Sequence, residues 1–255
     1  MSICSYILSC FNKSDSIFDN DRYFLQRGTF SNIWKIREKP LVIKEIVKTT
    51  INNFWREEID VLINNKGNKH IIELLSYKEY TDKVCFLLPY YKRDFFEYIT
   101  NTQYLDVKKY TLQMLDALSV LHGNNYAHLD IKPENFMINK SENLILADFG
   151  GSVYINEGLK YIKQYKPAFS PNYMPPELFS RIIGYCSDIW AMGIVIYIMK
   201  FKEFPCEAIN LENKDNKYRE IITKVRNDNL LSEILIYNYF ERPSLNAIYK
   251  LISNY

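Results

Sequence analysis

Up to about Leu88 the apolar residues come in short runs separated by polar clusters, at Arg22 to Leu25, Asn32 to Lys35, Pro40 to Ile46 and Lys83 to Leu88. Such runs predict β-strands. One stretch breaks the pattern. Between Ile51 and Asn64 the apolar residues Ile51, Trp55, Ile59 and Leu62 recur every three or four positions, which predicts an amphipathic helix among the strands. After Pro89 the period changes, and Asp94 to Thr100, Asp106 to His122, Ser187 to Met199, Tyr218 to Arg226 and Ser244 to Ile252 all carry helical spacing. The expected fold class is α+β, with a small β-rich first lobe carrying one helix and a larger, mainly α second lobe. Pro89-Tyr90-Tyr91-Lys92-Arg93 is a short polar-aromatic connector rather than a flexible linker. With no repeat or low-complexity tract, the chain reads as a single domain over 1–255, with lobes 1–88 and 94–255 hinged at 89–93 beside a cleft.

Composition narrows the classes. A chain of 255 residues, 47% of them apolar, can bury a sizeable core. Its 32 basic and 30 acidic side chains leave a net charge of only +2, which gives no case for nucleic acid as a partner. The cysteines at 4, 10, 85, 186 and 206 have no metal-ligand spacing and are odd in number, so a reducing cytoplasmic or nuclear compartment fits best. The run from Ile3 to Phe11 is too short to cross a bilayer and lacks the basic start of a signal peptide, so no transmembrane segment is expected and the run reads as the first piece of the fold. Ser2 excludes N-terminal myristoylation. Cys4 and Cys10 could carry a lipid, although buried thiols are the simpler reading.

The chemistry is concentrated in two segments. His128-Leu129-Asp130-Ile131-Lys132-Pro133-Glu134-Asn135 lies between a helix and the apolar run Phe136-Met137-Ile138. Phosphoryl transfer needs a carboxylate to orient the attacking hydroxyl, a cation near the transferred group and a metal ligand, and Asp130, Lys132 and Asn135 supply those groups. Further along, the apolar run Leu144 to Ala147 ends in Asp148-Phe149-Gly150-Gly151, which presents a carboxylate on a glycine turn to a bound cation. Either segment alone reads as an ordinary charged loop.

Together they resemble the signature set of the eukaryotic protein kinases, over about Tyr23 to Ile252. By that resemblance Asp130 is the catalytic carboxylate, Lys132 a phosphate-neutralising cation, and Asn135 and Asp148 the magnesium ligands. Val42-Ile43-Lys44 resembles the third strand, so Lys44 should hold the ATP phosphates and pair with Glu58 of the interrupting helix, Glu57 being the alternative. Ser170-Pro171-Asn172-Tyr173-Met174-Pro175-Pro176-Glu177 resembles the end of an activation segment. Asp188 of Ser187-Asp188-Ile189-Trp190 would brace the catalytic loop, and Arg242 of Glu241-Arg242-Pro243 would pair with Glu177. Lys132 and Ser170 match the serine/threonine branch. ATP and Mg2+ are the implied cofactors and a protein the implied substrate, with a regulatory protein partner also expected to be possible.

Three departures shape the expectation. The phosphate loop Leu25-Gln26-Arg27-Gly28-Thr29-Phe30-Ser31-Asn32-Ile33 keeps only the middle family glycine, Gly28. Val42 replaces the usual alanine, so that with Ile33 and Met137 it makes a tight adenine slot, backed by Leu88, while Pro89 to Tyr91 form the hinge with its adenine donor at Tyr91. Leu129 replaces the arginine that, in many kinases, receives a phosphate on the activation segment, so activity without that phosphorylation is expected. The residues between Gly151 and Phe169 include no threonine, leaving Ser152, Tyr154, Tyr161 and Tyr165 as hydroxyls. A pseudokinase scaffold would share the fold. The presence of Lys44, Glu58, Asp130, Lys132, Asn135 and Asp148 favours catalysis, and the Glu177, Asp188 and Arg242 elements argue against a small-molecule kinase.

Overall fold

The computed structural model describes residues 16–28, 31–48, 54–163 and 170–254. Ile51, Thr29, Phe30, Cys4, Cys10 and Tyr165 lie outside them. By its internal contacts the chain divides into two compact units, the described part of Met1–Trp55 with Glu73–Tyr90, and Arg56–Ile72 with the described part of Tyr91–Tyr255.

The first unit is an antiparallel sheet of β1 (Arg22–Arg27), β2 (Ser31–Ile36), β3 (Leu41–Val47), β4 (Ser76–Glu79) and β5 (Lys83–Pro89), in the order β1-β2-β3-β5-β4. β3 and β5 lie inside the sheet and are buried along most of their length, β3 carrying the buried Lys44 among its apolar residues. Ile36, Leu41, Ile43, Cys85 and Leu87 form the core with Phe18, from a short 3-10 turn at Ser16–Asp19. The buried Lys35 ammonium donates to the carbonyls of Ile36 and Lys39 and lies over the Tyr90 ring at 4.8 Å, with its pKa lowered by burial. It thereby fastens the β2–β3 turn to the strand end. β4 escaped sequence reading because Ser76-Tyr77-Lys78-Glu79 carries no apolar run and is held as an edge by its pairing with β5.

The predicted interrupting helix is α1 (Phe54–Asn64), with Trp55, Ile59 and Leu62 buried as its period requires. Three helices of the second unit begin where their capping residues dictate. Asp94 caps α2 (Phe95–Asn101), Asp106 caps α3 (Val107–Gly123) and Ser244 caps α7 (Leu245–Ser253), each side chain accepting a backbone N–H. The centre is α4 (Tyr185–Phe201), buried without interruption from Ser187 to Met199. α5 (Lys214–Val225) and the short α6 (Leu231–Ile234) follow it. Short strands before α2 and between α3 and α4 pair with one another. β6 (Arg93–Asp94), β8 (Phe136–Ile138) and β9 (Leu144–Leu146) form one sheet, β7 (Tyr126–Ala127) pairs with β10 (Val153–Tyr154), and β11 (Tyr161–Lys163) pairs with β12 (Ile182–Gly184). Among the described residues no helix is long and apolar enough to cross a membrane.

Candidate active site

The loop from His128 to Asn135 is fixed from beneath by a buried carboxylate. Asp188, in the first turn of α4 and fully buried, accepts the His128 N–H at 2.8 Å on Oδ2 and the Leu129 N–H at 2.7 Å on Oδ1. Leu129 has φ 63°, a left-handed conformation that costs an L-residue roughly 1–2 kcal/mol. The two charge-assisted hydrogen bonds hold it there. The bend turns Asp130 toward its partners. Lys132 Nζ donates to Asp130 Oδ2 at 2.7 Å and to Ser170 Oγ at 3.0 Å, and Ser170 Oγ donates to Asp130 Oδ1 at 2.9 Å. Asn135 Nδ2 donates to the Asp130 carbonyl at 2.7 Å and to its Oδ2 at 2.9 Å. Burial opposes ionisation of Asp130, but the Lys132 charge and hydrogen bond outweigh it and hold the carboxyl below its ordinary value. The result is an ionised, oriented carboxylate beside a cation.

The second segment is tied to the first through the backbone. The Ala147 N–H donates to the Asn135 carbonyl at 2.8 Å, and His128 Nε2 meets the Ala147 carbonyl at 3.2 Å. The next residue, Asp148, has φ 60°, and Phe149 packs edge-on against His128 at 5.0 Å. Because Asn135 gives its amide nitrogen to Asp130, the amide oxygen is the atom it keeps for a ligand. With the Asp148 carboxylate this is an all-oxygen donor set, the type Mg2+ prefers. The residues present therefore fit that ion.

The remaining second-unit elements are structural. Arg242 and Glu177 form a two-pronged pair at 2.7 Å on each arm, with both side chains fully buried. Ser187 Oγ donates to Glu177 at 3.1 Å, and Trp190 lies under the guanidinium at 4.9 Å. Tyr173 Oη donates to Glu134 at 3.3 Å, which gives that carboxylate a local partner that the sequence did not reveal. Leu129 turns its side chain into an apolar cluster with Ala127, Ile155 and Ile183, packed around by Val153, Ile162, Leu178 and Tyr185. Ser152 is buried, whereas Tyr154 and Tyr161 are exposed.

Other predicted site residues lie as follows. Glu58 is buried and Glu57 exposed on α1. Met137 is half-buried on β8, opposite Ile145, and Tyr91 follows β5. In the first unit, Val42 pairs with Leu88, Lys44 with Ile33 on one side and Phe86 on the other, and Leu41 with Pro89. Lys44 is buried. Leu25 is exposed at a register shift in β1, and the Gly28 N–H donates to the Ser31 carbonyl at 2.7 Å. A Cβ on Gly28 would stand 2.9 Å from Ser31 Oγ, so the glycine permits this tight turn.

The chain is similar to known proteins. The chain matches the family described as protein kinase domain over residues 23–252. It is 27% identical to NUAK family SNF1-like kinase 2 of Rattus norvegicus over 243 residues, covering 88% of this chain and 38% of that protein. It is 30% identical to serine/threonine-protein kinase PLK2 of Mus musculus over 207 residues, covering 76% of this chain and 30% of that protein. Aurora kinase of Yarrowia lipolytica is 26% identical over 215 residues, covering 78% of this chain and 55% of that protein. The chain belongs to the protein kinase family. It spans between 30 and 55% of the length of these relatives.

Proposed function

We propose that the protein transfers the γ-phosphate of ATP to serine or threonine hydroxyls of protein substrates, and that it does so without phosphorylation of its activation segment. The observation that carries the first half is the Asp130–Lys132–Ser170–Asn135 constellation. In this reading Asp130 accepts a hydrogen bond from the substrate hydroxyl and aligns its oxygen, while Lys132 neutralises charge that develops on the transferred group. The Ser170 hydroxyl ties the end of the activation segment to both. Asn135 and Asp148 would hold magnesium, which neutralises phosphate charge when bound. Lys44 and Glu58, and the nucleotide contacts Leu25, Gly28, Ile33, Val42, Leu88, Pro89, Tyr91 and Met137, are assigned by their motif positions. Protein substrates are read from the family, and a regulatory protein partner belongs to the proposal alone. The domain assignment remains one kinase domain over 1–255.

The second half is supported by the cluster around Leu129. A leucine buried among Ile155 and Ile183 offers no donor to a phosphate, and it orders by packing a region that other kinases order by an ion pair. The β11–β12 pairing adds backbone hydrogen bonds to the same segment. Ser152, the first hydroxyl residue after Asp148 in the sequence, is buried and so shielded from a modifying enzyme.

A pseudokinase would keep this fold yet fail one measurement. Purified protein incubated with labelled ATP, magnesium and generic protein substrates is expected to label serine and threonine, and Asp148→Asn or Asn135→Ala to abolish nearly all of that labelling. Both changes replace site polar groups rather than apolar core side chains, so the variants should remain folded by circular dichroism. Turnover within about tenfold of wild type, roughly 1.4 kcal/mol of barrier, would contradict the assignment.

A further inference from the structure

β11 has two faces, and one of them meets the Leu129 cluster. Ile162 packs against that cluster, and successive side chains of a strand point opposite ways, so Tyr161 before it points away. Its ring meets two others. Tyr161 lies edge-on to Tyr239 at 5.4 Å and to Phe240 at 5.6 Å between centroids, and Tyr239 and Phe240 lie against one another at 4.1 Å. Edge-to-face pairs at such separations attract beyond the apolar area they cover. The receiving rings stand on a loop that is itself fixed. The buried Arg242 guanidinium, paired with Glu177, donates to the Ile236 carbonyl at 2.9 Å and to the Tyr237 carbonyl at 3.4 Å. Asn238 closes the turn, its Oδ1 accepting the Phe240 N–H at 3.2 Å and its Nδ2 donating to Glu241 at 2.8 Å. Across the ribbon, a Cβ on Gly184 would stand 2.6 Å from the Tyr161 Cα, so the glycine is what lets Tyr161 lie directly against β12.

We infer that the Tyr161–Tyr239–Phe240 contact is a clamp that positions the activation segment for a protein substrate, and that Tyr161 acts through its ring rather than its hydroxyl. The inference rests on the kinase reading above. β11 and β12 are three residues each, and a two-stranded ribbon of that length is not stable on backbone bonds alone. Ile162 supplies an apolar anchor on one face and Tyr161 supplies the other, so β11 cannot lift away without breaking one of them. Through the loop that carries the two rings, the clamp ties the segment to the buried Glu177–Arg242 pair. Tyr161 and Phe240 are both exposed, so the contact forms at the surface and its loss opens no cavity in the core. Removing it therefore loosens the segment while leaving the body of the unit packed.

Wild type, Tyr161→Phe, Tyr161→Ala, Phe240→Ala and the Tyr161→Ala/Phe240→Ala double variant form the test. Tyr161→Ala is expected to lower kcat/KM for a protein substrate about fivefold or more, with KM for ATP changed less than about twofold, and Phe240→Ala to do the same to a smaller degree. The double variant should be about as slow as Tyr161→Ala alone, because both single changes break one contact. In hydrogen exchange the amides of β11 and β12 should lose protection in the alanine variants while those of α4 keep it. Tyr161→Phe, which keeps the ring, should retain the rate and the protection that Tyr161→Ala loses. If Tyr161→Ala does not fold, Phe240→Ala and Tyr161→Phe carry the test. Rates and protection unchanged in the alanine variants would overturn the inference. So would additive losses in the double variant, a Tyr161→Phe protein as slow as Tyr161→Ala, or a loss of protection spread evenly through the unit. Wild-type transfer that Asp148→Asn does not abolish would instead refute the kinase reading, and the amide exchange would still decide the clamp.

Discussion

Two adjacent stretches of the second unit are held in opposite ways. The catalytic loop from His128 to Asn135 is fixed by buried charge and hydrogen bonds, with Asp188, Asn135 and Lys132 each making at least two polar contacts. The segment after Gly151 is held instead by apolar packing of Ile155 and Ile162 on Leu129 and Ile183, and by two short strand pairs. The difference follows from what each must do. Polar bonds fix direction, which the proposed role of Asp130 in aligning a hydroxyl needs, whereas apolar contacts fix proximity without a directional partner. Leu129 joins the two regimes, its backbone held by Asp188 and its side chain inside the apolar cluster.

The largest effect is expected where a buried charge loses its partner. Glu177→Ala strands the Arg242 guanidinium in a fully buried position and should cost about 3–5 kcal/mol in denaturant unfolding. A Glu177→Leu/Arg242→Met pair should cost clearly less than that single change, because it removes both charges. Next comes the apolar regime. Ile183→Ala opens a cavity against Leu129 and should cost about 2–4 kcal/mol, with faster proteolysis near β11 and little change in KM for ATP. If that change left the segment as protected as in wild type, packing would not be what orders it.

A smaller effect should follow at Gly184. A Cβ there would stand 2.3 Å from the Lys160 carbonyl and 2.6 Å from the Tyr161 Cα, so Gly184→Ala must part the β11–β12 ribbon, at about 1–3 kcal/mol. The mildest test is acid. Asp130 and Asp188 are both held below the ordinary aspartate value of 3.8, so their stabilisation is complete above that value and is lost as the pH falls through their lower folded values. Asp188→Asn should therefore flatten the acid limb of a plot of melting temperature against pH, whereas Ile183→Ala should lower the whole curve evenly.

Much of this was legible in the sequence, for physical reasons that differ by region. The helices were legible because their apolar period is regular and because Asp94, Asp106 and Ser244 cap them at the expected ends. The polar constellation was legible because its residues lie close in sequence and phosphoryl transfer constrains their type. The Glu177–Arg242 pair was reached only through resemblance, since 65 positions separate its members. β4 was missed because an edge strand needs no apolar run, and β7, β10, β11 and β12 because strands of two or three residues carry no period. The contact of Tyr161 with Tyr239 and Phe240 was missed because a tyrosine on a short strand has the same local sequence whether its ring faces water or, as here, two rings far along the chain.

The claim that apolar packing replaces a phosphate is tested most directly by the initial rate of phosphatase-treated protein. Protein with no detectable phosphate by intact mass is mixed with ATP, magnesium and a protein substrate, and product is followed through the first minutes, before autophosphorylation can rebuild a mark. A linear trace from the start is expected, at the rate of untreated protein. A lag or a large loss of rate, reversed when Tyr154, Tyr161, Tyr165 or Ser152 becomes phosphorylated, would contradict it.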